Sequence, residues 1–425
     1  MKIAIIGSGI SGLTCGYYLH QEHDITVFEA NDYIGGHTAT VDVSIENESY
    51  SVDTGFIVYN DRTYPNFIEM MNEIGVTGTP TQMSFSVSNL SNGLEYNGHT
   101  LSTLFAQKRN LLNPRFYWFI YEILRFNKLA KEAAIQPHHG EQTLGDFLCQ
   151  HRFSDYFSDN YILPMGAAIW SSTLADMRGF PLPFFLNFFL NHGLLDIVDR
   201  PQWFVIDGGS SAYIDPLTKG FKEKIRLNCA VNSVERNHNG ALIQSSFGTE
   251  HFDAVIFACH SDQALRMLQD PSNKENDLLS KMEYQANEVT LHTDTKLLPK
   301  SKAAWASWNY LLSGQNGDQE ALPSLTYNMN ILQHIESEKT FCVSLNSNDK
   351  IDPEKILRTF TYHHPVFTQD SHIAQKQKSS IDGFNSTWYC GAYWYNGFHE
   401  DGVRSALDVV EGIRLLSSAS EKEVA

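Results

Sequence analysis

At 425 residues, with 42% hydrophobic and 19% charged side chains, the chain is long enough for two or three domains and has a globular rather than a disordered composition. A formal net charge of -18 and the lack of any Lys/Arg run exclude a nucleic-acid partner and disfavour docking on anionic lipid by overall charge alone. Six scattered cysteines, with no CxxC pair and no clustering with histidine, point to a reduced, cytoplasmic protein without a metal centre.

Lys2 to Ile6 reads as a short buried strand; the run is too short and too soon broken by glycine to be a signal sequence. Ser11 to His20 follows as a compact helix with small residues toward the sheet, and Asp24 to Glu29 is the second strand of a βαβ unit. After Asp53 the regular alternation stops. Residues 100–160 read as helical and carry an aromatic stripe, Phe116 to Tyr121; a second stripe follows at Phe184 to Phe189. Alternation returns at Val205 to Ser210, which predicts a strand running into a helix. Ala230 to Glu235, Ala241 to Ser245 and Phe252 to Ala258 read as strands, 270–380 as β-rich, and Thr387 to Cys390 as a strand before a helix from Asp401 to Leu416. No stretch is long and apolar enough to span a membrane, because Pro181, Pro183, Asn187 and Asn191 interrupt the greasiest window.

Gly7-Ser8-Gly9-Ile10-Ser11-Gly12 is a GxGxxG that closes a strand and opens a helix. Gly7 makes the tight turn, Gly9 lets backbone approach a pyrophosphate, and Gly12 permits close helix–strand contact. The first helical residues, Ile10 and Ser11, supply N–H donors at the positive end of the helix dipole. Glu29, 22 residues after Gly7, ends the second strand where an acid holds ribose hydroxyls, with Ala30 beside it. A further pair, Gly35-Gly36, followed by His37 and Thr38, brings a second backbone segment to the same pyrophosphate.

With these residues the sequence resembles the flavin-containing amine oxidoreductase superfamily, which includes amine oxidases, protoporphyrinogen oxidases and phytoene-desaturase-like proteins. It is most similar to a bacterial subgroup labelled NAD/FAD-binding, sharing the strings Ser307-Trp308-Asn309-Tyr310, Thr326 to Asn330, Tyr362-His363-His364-Pro365 and Gly397 to Gly402. The resemblance implies an α/β fold: a Rossmann-like FAD-binding domain of the glutathione-reductase type, with an α+β substrate domain containing a β-sheet and a helical subdomain. The expected division is 1–80, 205–265 and 381–425 for the discontinuous FAD-binding domain, and 81–204 and 266–380 for the substrate domain. The cofactor implied is FAD, held non-covalently. By the same resemblance Asp53-Thr54-Gly55 passes near the flavin ring, Val231 offers backbone to the adenine, and Gly391 belongs to the closing flavin motif. Backbone at Gly402 and Val403 would face the flavin N1–C2=O edge. The family's arginines beside the second glycine pair are replaced here by Tyr33 and His37.

A flavin accepts hydride itself, so the protein need only position a C–H bond and exclude water. The lysine that many amine oxidases hold against the flavin has no counterpart; Glu288 stands nearest its place. Phe398 holds one position of the aromatic amine cage, with Tyr393, Trp394 or Tyr395 available to complete it. Candidates for direct participation are His364, His292, Tyr310 and Tyr327, each weighed against a purely structural role; of the adjacent pair His363 and His364, only one can face the site. The expected function is an FAD-dependent oxidoreductase taking hydride from a hydrophobic, lipid-like or isoprenoid substrate. Alternatives are an amine oxidase, a non-catalytic FAD-binding scaffold, or an NAD-dependent dehydrogenase, which the second glycine pair disfavours. The two aromatic stripes read as walls of one greasy channel or as a peripheral lipid-contacting surface.

Overall fold

In the computed structural model, which describes residues 1–135, 142–237, 239–313 and 319–424, the apolar N-terminal run becomes the central strand of a five-stranded parallel sheet. Lys2–Ile6 lies between Asp24–Phe28 and Ala254–Phe257; Ile225–Arg226 and Thr387–Tyr389 form the edges. Strands buried on both faces need continuous apolar runs, and Ile3, Ala4, Ile5, Val255 and Ile256 are all fully buried. Helices Ile10–Leu19 and His399–Val424 pack together on one face, where Ser11 Oγ donates to the Gly402 carbonyl at 2.9 Å. The other face carries a three-stranded antiparallel unit, Val231–Asn237, Gly240–Ser245 and Gly248–Phe252, with Phe252 edge-on to Phe28 at 5.7 Å. This unit is anchored by Arg236, whose two terminal nitrogens grip buried Glu275 at 2.5 and 3.0 Å.

A seven-stranded sheet takes the strands of the central stretch in the order Ile356–Pro365, Tyr284–His292, Cys342–Leu345, Ser324–Asn328, Trp308–Leu312, Phe85–Asn89, Leu94–Asn97. All pairings are antiparallel except that of Trp308–Leu312 with Phe85–Asn89. Its two faces differ because side chains alternate along a strand. One face presents Phe85, Trp308, Tyr327, Leu345 and Val289 to a large cavity. The other holds a buried polar ladder in which Ser86 donates to Asn309 at 2.8 Å and Ser344 meets Thr326 and His292, each at 2.7 Å. Helices including Pro114–Ala134, Leu163–Trp170 and Leu182–Asn191 complete the helical subdomain. The α/β class expected from the sequence is therefore the observed one.

The segment Val205 to Ser210 runs from a strand into a helix as expected, but its strand stands apart from the parallel sheet. Trp203–Ile206 pairs with Tyr59–Asn60 and Gly78–Thr81 in a separate small sheet, and a 3₁₀ turn, Ser210–Tyr213, leads directly into the helix Ile214–Thr218. Between them Gly208 and Gly209 both take positive φ, +85° and +92°, and turn the chain so that Ser210 donates from N–H and Oγ to buried Asp53 at 2.8 and 3.0 Å. Of the residues read as helical, 136–141 lie outside the described ones.

Candidate functional site

The glycine turn is closed by contacts that leave no room for side chains. Gly7 has φ +108°, and its N–H donates to Phe28 O at 2.8 Å. A Cβ on Gly12 would stand 2.0 Å from the Gly7 carbonyl oxygen, so helix and strand meet only through this glycine. Gly9 is different: a Cβ there meets nothing within 4 Å, because it faces the cavity. The second glycine pair is fastened to the first, with the Gly35 N–H on Ser8 O at 3.0 Å and Gly36 (φ +59°) against Gly9 Cα. Glu29 is buried yet reaches the cavity wall. It accepts from Ser8 N–H and Oγ at 3.0 and 2.6 Å and from Asn31 N–H at 2.9 Å. A carboxylate at a strand end, a helix N-terminus and backbone from two glycine pairs around one cavity are the donor and acceptor set of a dinucleotide diphosphate and ribose. The residues fit FAD.

Glu29→Ala is expected to weaken FAD binding about tenfold or more, the cost of a charged hydrogen bond being about 1.5–3 kcal/mol. Because Glu29 also fixes Ser8 in the turn, the loss should exceed that of Ser8→Ala. Titration of the apoprotein with FAD checks the order, and equal dissociation constants for Glu29→Ala and wild type would remove the acid from the site.

Next along the wall stands a group of histidines that includes His37, His260, His364 and His399. His37 lies 5.9 Å from His364, 6.3 Å from His260 and 5.2 Å from Tyr362, ring to ring. His399 stacks on Phe56 at 3.7 Å, and its Nε2 meets Thr38 Oγ1 and Tyr213 OH at 3.1 and 3.0 Å. Burial, reinforced by the neighbouring rings, pushes His37 and His260 down to about 4 and His364 and His399 down to about 3, so all four are neutral at pH 7. The Asn287 amide nitrogen lies 3.1 Å from His364 Nδ1 while its oxygen accepts from Asn346, so Nδ1 accepts and the proton sits on Nε2. Nε2 of His37 is buried without a partner, a donor or acceptor awaiting a ligand.

A diphosphate held by the glycine turn favours protonated His37, so the complex would carry a proton that the free protein, titrating near 4, does not. FAD affinity should therefore rise as pH falls from 7 toward 5, and His37→Gln should flatten that slope. Fluorescence titrations at stepped pH check this; a slope unchanged in His37→Gln would contradict it.

Beyond the histidines the same cavity, of about 1010 Å³ in all, opens into a chamber walled by Tyr96, Tyr161, Met165, Ile169, Trp170, Phe188, Trp308, Tyr327 and Phe367. Phe188 and Phe398 stack at 5.1 Å across it. Among the described residues lining the whole cavity, Glu29 is the one carboxylate and there is no lysine. Arg266 stands with the cradle residues; Arg200 stands on the chamber wall with His99, whose pKa is lowered by burial and then by the Arg200 charge.

The structure brings Gly7, Gly9, Ile10, Ser11, Glu29, Ala30, Gly35, Gly36, His37, Gly55, Val231 and Gly391 onto one cavity, together with His364 and Tyr327. Gly12 and Thr38 support the wall from behind. Gly402 and Val403 lie inside their helix, Gly402 packed on Ile10 and Ser11; Gly397, Phe398 and His399 take the wall there instead. His292 and Tyr310 are off the cavity. His292 shares a strand face with Thr290, opposite to Val289, and is spent on Ser344, while Tyr310 is buried in the core. Both His363 and His364 reach the cavity, against expectation, because the strand runs along its rim. Glu288 is exposed and Tyr395 donates to Asp408 at the surface, and neither lines the cavity. The stripes do not form one channel: Phe116 and Phe119 are core, Tyr117, Trp118 and Tyr121 are exposed, and of Phe184 to Phe189 only Phe188 lines the chamber. Sequence reasoning missed Trp170, Tyr161, Tyr96 and Arg200, each of which lies in a segment with no motif.

A family model described as flavin containing amine oxidoreductase matches residues 10–340. No curated protein matches the sequence. Solved structures share the fold at low identity. The CLA-producing fatty acid isomerase from P. acnes is 16% identical with a TM-score of 0.70, the match covering 96% of this chain and 97% of that one. Cyclohexylamine oxidase from Brevibacterium oxydans is 14% identical with a TM-score of 0.67, covering 97% and 99%. Putrescine oxidase bound to putrescine is 14% identical with a TM-score of 0.68, covering 98% and 99%.

Proposed function

Because this chain belongs to the flavin-containing amine oxidoreductase family, we propose a function that follows from its cofactor: FAD-dependent hydride removal from a long, apolar substrate that carries an acidic head group. The protein is an FAD-dependent oxidoreductase; its substrate is the proposed part. FAD, when bound, supplies the hydride acceptor at N5. The chain's own residues do the rest. The aromatic chamber desolvates and orients an apolar chain, and Arg200 at its wall attracts an anion. Tyr327 and neutral His364, with its donor Nε2–H, position the reacting segment.

The observation that carries this reading is the charge of the lining. An ammonium entering the chamber would find aromatic faces but no carboxylate, since Glu29 is committed to the glycine turn. An acid would find Arg200. We also propose that residues 1–80, 205–265 and 381–425 form the FAD-binding unit and 81–204 and 266–380 the substrate unit; the two large sheets draw their strands from these segments. A cytoplasmic location is part of the proposal, in keeping with six scattered cysteines that include no CxxC pair.

Mass spectrometry of small molecules released from the purified protein tests the reading, and intact FAD with a long-chain acid is the expected pair. Arg200 is exposed, so its pairing with a carboxylate is screened, and Arg200→Gln should raise KM for such an acid only about two- to fivefold. KM for the uncharged ester should not change; an equal rise for acid and ester would take the head group away from Arg200.

A further inference from the structure

The helix Pro114–Ala134 separates the chamber from the surface. Its inner face places Phe119 against Tyr96 at 5.4 Å and Tyr161 at 6.3 Å, both chamber walls. Its outer face and the turn before it expose Leu111, Leu112, Tyr117, Trp118, Tyr121 and Leu124, with Leu112 90% and Trp118 58% accessible. Soluble surfaces rarely gather large apolar side chains this densely without a partner. Two further links tie this face to the chamber. His99, on the wall, leads directly into exposed Leu101. Lys131 of the helix bonds Asp196 at 2.6 Å, in the loop that exposes Ile197 and Val198 and then returns to the wall at Arg200.

The charge of this region is opposite to that of the molecule. Residues 98–135 contain Lys108, Arg109, Arg115, Arg125, Lys128 and Lys131 against two acids, an excess of four positive charges within the segment, of which Lys131 is paired with Asp196 outside it, in a chain of net charge -18. One of the two acids, Glu122, is buried and spent on the Ser154 N–H at 2.7 Å. Tyr, Trp and Leu side chains interleaved with Lys and Arg on one helix face are the composition that lies in the headgroup zone of an anionic bilayer.

We propose that this face, the outer side of Pro114–Ala134 with the turn at Leu111-Leu112, is a docking surface for an anionic phospholipid bilayer, seated so that the neighbouring chamber receives its substrate from the lipid phase. It takes from the proposed function only that the chamber serves an apolar substrate. The overall negative charge holds the rest of the molecule away from the membrane and so orients it, and the whole-chain repulsion read from composition is overcome locally within a Debye length of the basic face. A second copy of the chain, itself acidic, is the competing occupant; a protruding Leu112 suits insertion among headgroups better than a flat protein interface.

The test is co-sedimentation of the FAD-loaded full chain with vesicles of phosphatidylglycerol and phosphatidylcholine, and with phosphatidylcholine alone, over a range of salt. Binding is expected to the mixed vesicles, to fall as salt rises, and to drop roughly tenfold or more in Leu112→Asp/Trp118→Asp. Lys108→Glu/Lys128→Glu should lose the preference for phosphatidylglycerol. FAD content and unfolding temperature report folding, and all four side chains are surface ones. No binding to mixed vesicles at low salt overturns the proposal, as does binding untouched by either pair. A dimer in light scattering that Leu112→Asp/Trp118→Asp dissociates, with no vesicle binding, would hand the face to a second copy. Flavin reduction by detergent-dispersed substrate is measured separately, so failure of docking and failure of the proposed reaction remain distinct.

Discussion

Gly12→Val should yield protein without flavin. The new Cβ would lie 2.0 Å from the Gly7 carbonyl oxygen and 3.2 Å from Ala258 Cβ, and both residues directly follow strands of the parallel sheet and are tied to it, Gly7 N–H to Phe28 O and Ala258 N–H to Ile6 O. Neither can retreat, so the glycine turn must open and the first amides of the helix must turn away from the cavity. Losing two hydrogen bonds to a charged group, about 1.5–3 kcal/mol each, corresponds to roughly a hundredfold weaker binding or more. Gly9→Ala separates loss of the site from loss of the fold. Its methyl meets no protein atom within 4 Å, so the flavin-free protein should unfold at the wild-type temperature, yet the methyl stands where the ligand's phosphates approach. Visible absorbance of the purified variants and calorimetry of the apoproteins measure both quantities. Full flavin content in Gly12→Val would show that the turn does not hold the dinucleotide.

The second large effect is expected at Phe188. Its ring stacks on His192 at 3.8 Å and on Phe398 at 5.1 Å, at the chamber wall. Phe188→Asp places a carboxylate in apolar space that the substrate must share, at a cost of several kcal/mol, so turnover of a long apolar substrate should fall by about a hundredfold. Phe188 is buried but borders the cavity, so flavin content and unfolding temperature are measured first and the kinetics are read in folded, flavin-bearing protein. Phe185, three residues earlier, is fully buried against Phe189 at 4.0 Å and Trp170 at 6.0 Å. An unpaired charge there costs about 3–5 kcal/mol or more, and Phe185→Asp should fail to fold. Unchanged kcat/KM in folded, flavin-bearing Phe188→Asp would mean that substrate does not enter this chamber.

The cradle was legible because its residues are consecutive and their roles local: a turn that only glycine can make, an acid at the end of the next strand. The chamber was not. Tyr96, Tyr161, Trp170 and Arg200 come from separate segments that only the tertiary fold unites. The stripe from Phe116 to Tyr121 looked like one wall because residue order hides the helical period. At 3.6 residues per turn Phe116 and Phe119 go to the core while Tyr117, Trp118 and Tyr121 go to solvent. His292 and Tyr310 lie off the cavity for the matching reason in strands, where placement on the cavity face or off it depends on a register that sequence leaves open. His364 was legible as a candidate, but its neutral state and fixed tautomer required Asn287, distant in sequence.

The most direct test is anaerobic mixing of the FAD-loaded protein with a dispersed, unsaturated long-chain acid, and separately with an alkylamine of the same length, while flavin absorbance is followed. Bleaching of the oxidised flavin band by the acid, slowed in Phe188→Asp, is the predicted result. Bleaching by the amine with none by the acid would contradict the account and make the protein an amine oxidase.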